Sequence, residues 1–356
     1  MEKRRRTYKI ILTLCIWVFI SSVSYSQIGG RNSYEFLRLP VSGRLTGLGG
    51  ALIGVQDGDV NLAMSNPAAL NSKMDGAIAL NNNFHFAGIS YGHAAFGKHI
   101  SKYGITTQIA ASYMNYGSFS AADEVGVQNG TFSAYESAFT LGAAKAINER
   151  IHLGANLKLV NSAFESYNSI GIAADLGAIY VTNSDRTVIS AVFKNFRSEL
   201  TTLNGQRFGT PFDIQLGLSQ RLKYLPLRIG FILHNLQQWS IRYDDPNRAS
   251  EIDLLGGANE PSALNQTIDN FFRHVIINGE FLLGKSENLK LRIGYNHLRR
   301  KELSIPQLRS RAGFSLGFGM KISKFSIDYG VGYHHITGGT NHLSIMTNLQ
   351  EFKSKL

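Results

Sequence analysis

Residues 287–349 alternate in side-chain character almost without interruption. Leu289, Leu291, Ile293 and Tyr295 are interleaved with Lys290, Arg292 and Gly294. Phe314, Leu316, Phe318, Met320 and Ile322 alternate with Ser, Gly, Gly and Lys, and Phe325, Ile327, Tyr329, Val331 and Tyr333 with Ser326, Asp328, Gly330 and Gly332. A period of two is the mark of a strand, because successive side chains leave opposite faces of the backbone. One face here is unbroken, apolar and aromatic-rich, while the other is Gly, Ser and charge. A membrane barrel with an apolar outer band and a polar interior has this pattern.

The start of the chain points to the same setting. Lys3, Arg4, Arg5, Arg6 and Lys9 precede or open the apolar run 10–20, and Ser24 and Ser26 stand three and one positions before Gln27. Residues 1–26 therefore read as a secretory signal peptide cleaved between Ser26 and Gln27, with a stop-transfer helix as the competing reading. Cys15, the only cysteine, lies inside this segment. The processed chain would carry no thiol, which excludes disulfides, Cys-ligated metals and Cys nucleophiles. Five Lys/Arg and one Glu also leave with the signal, so +7 of the formal +11 charge remains, spread without a basic block. That distribution gives little support to nucleic-acid binding. Attraction to an acidic glycolipid surface stays physically open.

Gly is frequent, at 36 of 356 residues, and Pro scarce, while strand-like alternation runs from about residue 76 to 349. We expect an all-β fold: one 14-stranded antiparallel transmembrane β-barrel over residues 76–356, with residues 27–75 as a small N-terminal plug inside the lumen. The strands are expected at 75–82, 85–96, 103–116, 130–146, 151–164, 168–182, 186–197, 211–222, 226–236, 271–283, 288–298, 311–322, 324–335 and 341–350. The connections alternate in length. Those after even-numbered strands are short, as at Asn148–Arg150, Asn183–Asp185, Lys223–Leu225 and Ser323. Four after odd-numbered strands are long, at 117–129, 198–210, 237–270 and 299–310. In bacterial outer-membrane barrels short turns are periplasmic and long loops extracellular, so both termini are expected in the periplasm. The last strand ends on Leu343, Ile345, Thr347 and Leu349 with Phe352 beyond, resembling the aromatic-ended strand by which such barrels are recognised for assembly.

The plug segment does not alternate. Asp57 or Asp59 can cap a short helix that stops at Asn66-Pro67, since the residue before a proline is pushed out of the helical region. Gly47, Gly49, Gly50 and Gly54 fit neither a phosphate-binding loop nor a dinucleotide fingerprint. With Asn66 and Pro67 they read as close packing of the plug against the wall.

Face assignment places Ile151, Leu153, Ala155, Leu157 and Leu159 toward lipid and His152, Asn156 and Lys158 inside. Ile214, Leu216 and Leu218 likewise oppose Asp213, Gln215 and Ser219. Asp175, His274, Asn278, Glu280, Lys290, Arg292 and Asp328 also point inward. These charges form either an ion-pair network that holds the plug or the lining of a solute path. His334 and His335 are neighbours on a strand and face apart, so they cannot share one metal. His85, His93, His99, His297 and His342 lack ligand spacing. No motif of a hydrolase or metalloprotease is present, and we expect neither enzymatic activity nor a cofactor. Trp239 sits where strand 9 meets the longest loop, as an interfacial anchor or a partner contact.

Tyr34-Glu-Phe-Leu-Arg-Leu-Pro-Val-Ser42, Arg44-Leu-Thr-Gly-Leu-Gly-Gly50, Asn66-Pro-Ala-Ala69 and Arg299-Arg-Lys-Glu-Leu303 together resemble the PorQ family of type IX secretion outer-membrane proteins. That family is similar to PorV and to the wider fourteen-stranded fatty-acid-transporter group. The resemblance implies a non-enzymatic part in a surface attachment complex. It would tether a PorZ-like surface protein, beside a PorU-like sortase and a PorV-like barrel, while exported cargo is attached to lipopolysaccharide. The loop carrying Trp239, Arg242, Asp244, Asp245, Arg248, Leu254 and Leu255 is the candidate partner surface. The alternative is a channel for hydrophobic solutes such as fatty acids.

Overall fold

The computed structural model describes residues 33–123, 125–182, 184–201, 211–242, 263–303, 310–335 and 338–353. The alternating segments form fourteen strands: β1 Ala77–Phe84, β2 Ser90–Ile100, β3 Ile105–Ala122, β4 Gln128–Ala146, β5 Ile151–Phe164, β6 Tyr167–Val181, β7 Thr187–Glu199, β8 Asp213–Arg221, β9 Leu227–Leu233, β10 Val275–Leu283, β11 Leu289–Asn296, β12 Phe314–Ile322, β13 Phe325–His335 and β14 Gly338–Asn348. Each pairs antiparallel with the next, and β14 returns to β1 in the register Ala77↔Asn348 to Phe84↔Asn341, closing the barrel. Closure leaves no free edge, which is what lipid demands of a sheet. Among the described residues no helix is long and apolar enough to cross a membrane.

Burial is inverted relative to a soluble protein. On β5, Leu153, Leu157 and Leu159 are exposed, whereas Asn156 and Lys158 are buried. On β8, Leu216 and Leu218 face out while Asp213, Gln215 and Ser219 face in. An apolar outer band around a polar interior is stable where hydrocarbon is the solvent outside.

Ala77 and Asn348 lie at one rim, here called the near rim, together with the short turns between β2 and β3, β4 and β5, and so on to β12 and β13. The longer connections lie at the far rim. One expected loop is absent. Residues 117–129 are mostly strand, because the β3–β4 ladder continues to Ala122↔Gln128. Phe119 and Phe132 stack at 5.4 Å across that extension. The Gly- and Ser-rich composition suggested a loop, but a cross-strand aromatic pair supports continued pairing. The far-rim connections also hold two helices that alternation did not reveal, α2 Ala263–Arg273 and α3 His297–Leu303. The expected strand starts at 271 and the expected strand end at 298 therefore fall inside helices.

The chain before β1 packs within the barrel. It contains α1 Gly43–Gly47, whose Ser42 side chain accepts from the Leu45 amide. Three 3-10 turns follow, Val60–Met64 capped by Asp59, Pro67–Ala69 capped by Asn66 and Ser72–Met74 capped by Asn71. The expected helix end at Asn66-Pro67 is thus a change from one turn to the next. Leu45, Leu48, Val60, Leu62, Ala68 and Met74 form the main apolar core with Ala79, Ala95, Ala110 and Val160 of the wall.

Candidate functional site

The wall was expected to carry charges inside; the plug supplies their counterpart. Arg44, on α1, donates from Nε and Nη2 to the two oxygens of Glu280, each at 3.0 Å. Its Nη1 reaches Asp59 at 3.2 Å and its Nη2 lies 2.8 Å from Asp57. Glu280 also accepts from Arg292 at 2.8 Å and Arg228 at 2.7 Å, and Arg292 continues to Asp328. Three guanidinium groups therefore interleave with four carboxylates, and Lys290 lies near Asp57. Bidentate pairing fixes orientation as well as energy, so this cluster sets both the depth and the rotation of α1. A second buried pair, Lys158 and Asp175 at 2.7 Å, stands under the 60–69 turns. There Asn156 joins Asp175 at 3.1 Å to the plug carbonyl of Ala63 at 2.9 Å.

Plug and wall approach backbone to backbone where one or both carry glycine. A methyl group added to Gly47 would stand 2.7 Å from Gly317 Cα, and one on Gly154 would stand 2.5 Å from Pro67. The Gly49 amide donates to Ser315 Oγ at 2.8 Å, and Gly49 and Gly50 both adopt positive φ, a region glycine enters without strain. Asn66 donates to the Ile53 carbonyl at 2.8 Å and sits against Gly177. Ser190 and Ser219 of the wall lie beside Gly54.

Two cavities lie at the ends. At the far rim about 440 Å³ is enclosed by Phe36, Leu39, Met114 and Tyr116 together with Arg38, Lys194, Asp213, Arg299 and Glu302, and its floor is Gly49–Ala51. At the near rim about 240 Å³ is lined by Arg44, Asp57, Lys290, Arg292, Lys324 and Asp328. Among the described residues these two cavities share no lining residue. Leu45 and Leu48, both fully buried, lie on the chain between them.

Trp239 lies flat on the imidazole of His274, at 5.2 Å between ring centres. Its carbonyl accepts from Asn270 at 2.6 Å and bonds His274 Nε2 at 3.0 Å. His274 is on the inward face of the wall, so the indole covers the rim of the lumen. Arg242 is half-buried nearby in sequence, whereas Asp244, Asp245, Arg248, Leu254 and Leu255 fall outside the described residues. Among the described residues no group of three His, Cys, Asp or Glu is placed to hold a metal. Arg44, Asp57 and Asp59 were not foreseen as the plug's half of the lock. An arginine within a run of small residues was the signal available.

At the far rim Asp269 of α2 binds Arg273 at 2.8 Å and Lys301 of α3 at 3.0 Å. Burial pushes its carboxyl up, but these two cations outweigh that and hold it at about 2. A carboxylate so depressed contributes stability that is complete above its unfolded value of 3.8 and is lost as pH falls through about 2. Hydrogen exchange from the α2 amides should therefore be no less protected at pH ~4 than at neutral pH. Asp269→Asn should loosen α2 at both, and protection in that variant equal to that of the unmodified chain would remove Asp269 from the account.

No family model and no curated protein matches the chain. Solved structures do. The barrel superposes on a deletion mutant of the TodX monoaromatic hydrocarbon channel with a TM-score of 0.50 at 13% identity, covering 87% of this chain and 97% of that one. The Pseudomonas putida toluene transporter TodX gives 0.49 at 14%, covering 90% and 98%. A Pseudomonas aeruginosa FadL homologue gives 0.48 at 11%, covering 86% and 98%. At such identities the first of these likenesses speaks for a shared fold alone, a fourteen-stranded membrane barrel.

Proposed function

We propose that the chain is a non-enzymatic barrel of the bacterial outer membrane, near rim in the periplasm, that anchors partners at its far rim. In this reading it holds a PorZ-like surface protein within an attachment complex of the type IX secretion system, as the resemblance to the PorQ family implies. The observation that carries it is the lumen. Three arginines and four carboxylates tie the plug to the wall, and Arg44, Asp57, Asp59, Arg292 and Asp328 among them line the near-rim cavity. Moving a hydrophobic solute past such a cluster would expose it to desolvated charge.

A second reading has more direct support from the solved relatives, two of which are described as a hydrocarbon channel and a toluene transporter. Here a hydrophobic solute enters the far-rim cavity against Phe36, Leu39, Met114 and Tyr116. Two measurements on the tagged chain separate the readings. In mild detergent the anchor retains a surface protein of the attachment complex, and deletion of residues 244–262 lowers its recovery. In vesicles the anchor passes toluene or a fatty acid no faster than protein-free lipid does. Saturable uptake, with recovery of the surface protein unchanged by the deletion, would establish the channel and end the anchor reading.

A further inference from the structure

A surface helix normally turns its apolar stripe inward. Helix α2 does the reverse. Gln266, Asp269, Asn270 and Arg273, spaced three and four apart, form its more buried stripe. Asn270 bonds the Trp239 carbonyl, and Asp269 ties the helix to α3. The opposite stripe is Leu264, Ile268, Phe271 and Phe272, and all four are exposed, Leu264 at 68% and Ile268 at 46%.

That stripe is continuous with the lipid-facing band. Phe272 meets the His297 ring at 5.9 Å. His297 in turn meets Tyr295 at 5.9 Å, with a 2.8 Å hydrogen bond between Tyr295 Oη and His297 Nδ1. Tyr295 packs on Phe314 at 4.9 Å, and Phe314 belongs to the same outward face as Leu316 and Phe318. The apolar surface thus runs from the wall of β11 and β12 over the rim and onto α2. Arg273 and Lys301 share the single carboxylate of Asp269, and Arg300 lies near Tyr295, leaving positive charge at this edge. Aromatic rings, an outward apolar stripe and cations at its polar border are what an interfacial helix presents to lipid.

We propose that α2 lies in the headgroup–acyl boundary of the membrane leaflet at the far rim, its Leu264–Ile268–Phe271–Phe272 stripe inserted among acyl chains and the neighbouring cations against headgroup phosphates. The far rim is thereby held at a fixed depth on one side, and the Trp239–His274 lip is carried at that height.

The test uses the full chain with Cys15→Ser, refolded into vesicles of phosphatidylethanolamine and phosphatidylglycerol that carry a spin label high on the acyl chain. Single cysteines bearing an environment-sensitive fluorophore replace Ile268, Leu316 on the lipid face of β12, and Lys223 in the turn after β8. The Ile268 probe should be quenched to within about twofold of the Leu316 probe and shielded from aqueous iodide. Quenching by iodide at the level of the Lys223 probe would overturn the proposal. So would shielding from both quenchers, which would mean that protein covers the stripe. Failure of the Leu316 probe to quench would instead indict the barrel's insertion, and with it the reading of the fold.

Discussion

Glu280→Gln unseats the plug. Glu280 is buried and accepts from Arg44, Arg228 and Arg292 together. The amide keeps the shape of the carboxylate but removes its charge and one accepting oxygen. Breaking a buried ion pair by neutralising one partner typically costs about 3–5 kcal/mol, because the other charge stays buried without compensation. Three cations are left here, so the upper part of that range is expected. Denaturant unfolding in vesicles, together with protease cleavage within residues 33–75, should report the loss. A midpoint and cleavage pattern equal to the unmodified chain would show that the cluster does not hold the plug. Asp269→Asn, far from the lumen, should leave cleavage of the plug unchanged.

Gly330→Leu should separate plug from barrel by another route. Any side chain at Gly330 runs into the Gly43 carbonyl at the start of α1. The carbonyl is backbone and the first side-chain carbon is fixed directly to backbone, so neither can move aside cheaply. Overpacking by a few methylenes costs about 1–3 kcal/mol in a core that can adjust, and more where it cannot. Because the ladder pairing Gly330 with Gly317 and His342 involves no side chain, the strands should still close. The expected result is a folded, heat-stable barrel with a protease-sensitive plug and a raised ionic conductance across planar bilayers. Gly279→Ala is the matched control, since its added methyl group meets nothing nearer than Ile293 at 3.5 Å. Low conductance in both variants would mean that the α1 contact does not close the lumen.

The strands were legible because one physical signal, alternation, repeats along each of them. Leu289 to Tyr295 and Phe325 to Tyr333 place their apolar members on the lipid side as read. The inward charges were legible for the same reason, down to Glu280, Arg292 and Asp328. Their partners on the plug were not. Arg44 lies on a five-residue helix with no period of its own, and only the three-dimensional path of the chain brings it to Glu280, 236 positions away. Helix α2 was hidden for a different cause. Its apolar residues sit at helical spacing inside a stretch read as an outer loop, and its last residues, Phe271 to Arg273, merge with the alternation of β10. The extension of β3 and β4 was missed because Gly117, Ser118 and Ser120 suppress the alternation that Phe119 and Phe132 restore by stacking.

The long sequence separations within the plug contacts set the order in which this molecule is put together. The Gly43 amide donates to Ser344 Oγ across 301 positions, and Thr46 bonds His342 across 296. The part of the chain made first therefore has no seat until the strands made last are in place. Loop-closure entropy must be met before such contacts reward it. Circularising the sheet and lodging α1 become a single late event, with Gly43 and Thr46 packed against β14 beside the seam where it joins β1. A truncated chain would leave its own N-terminal segment adrift and open to proteases.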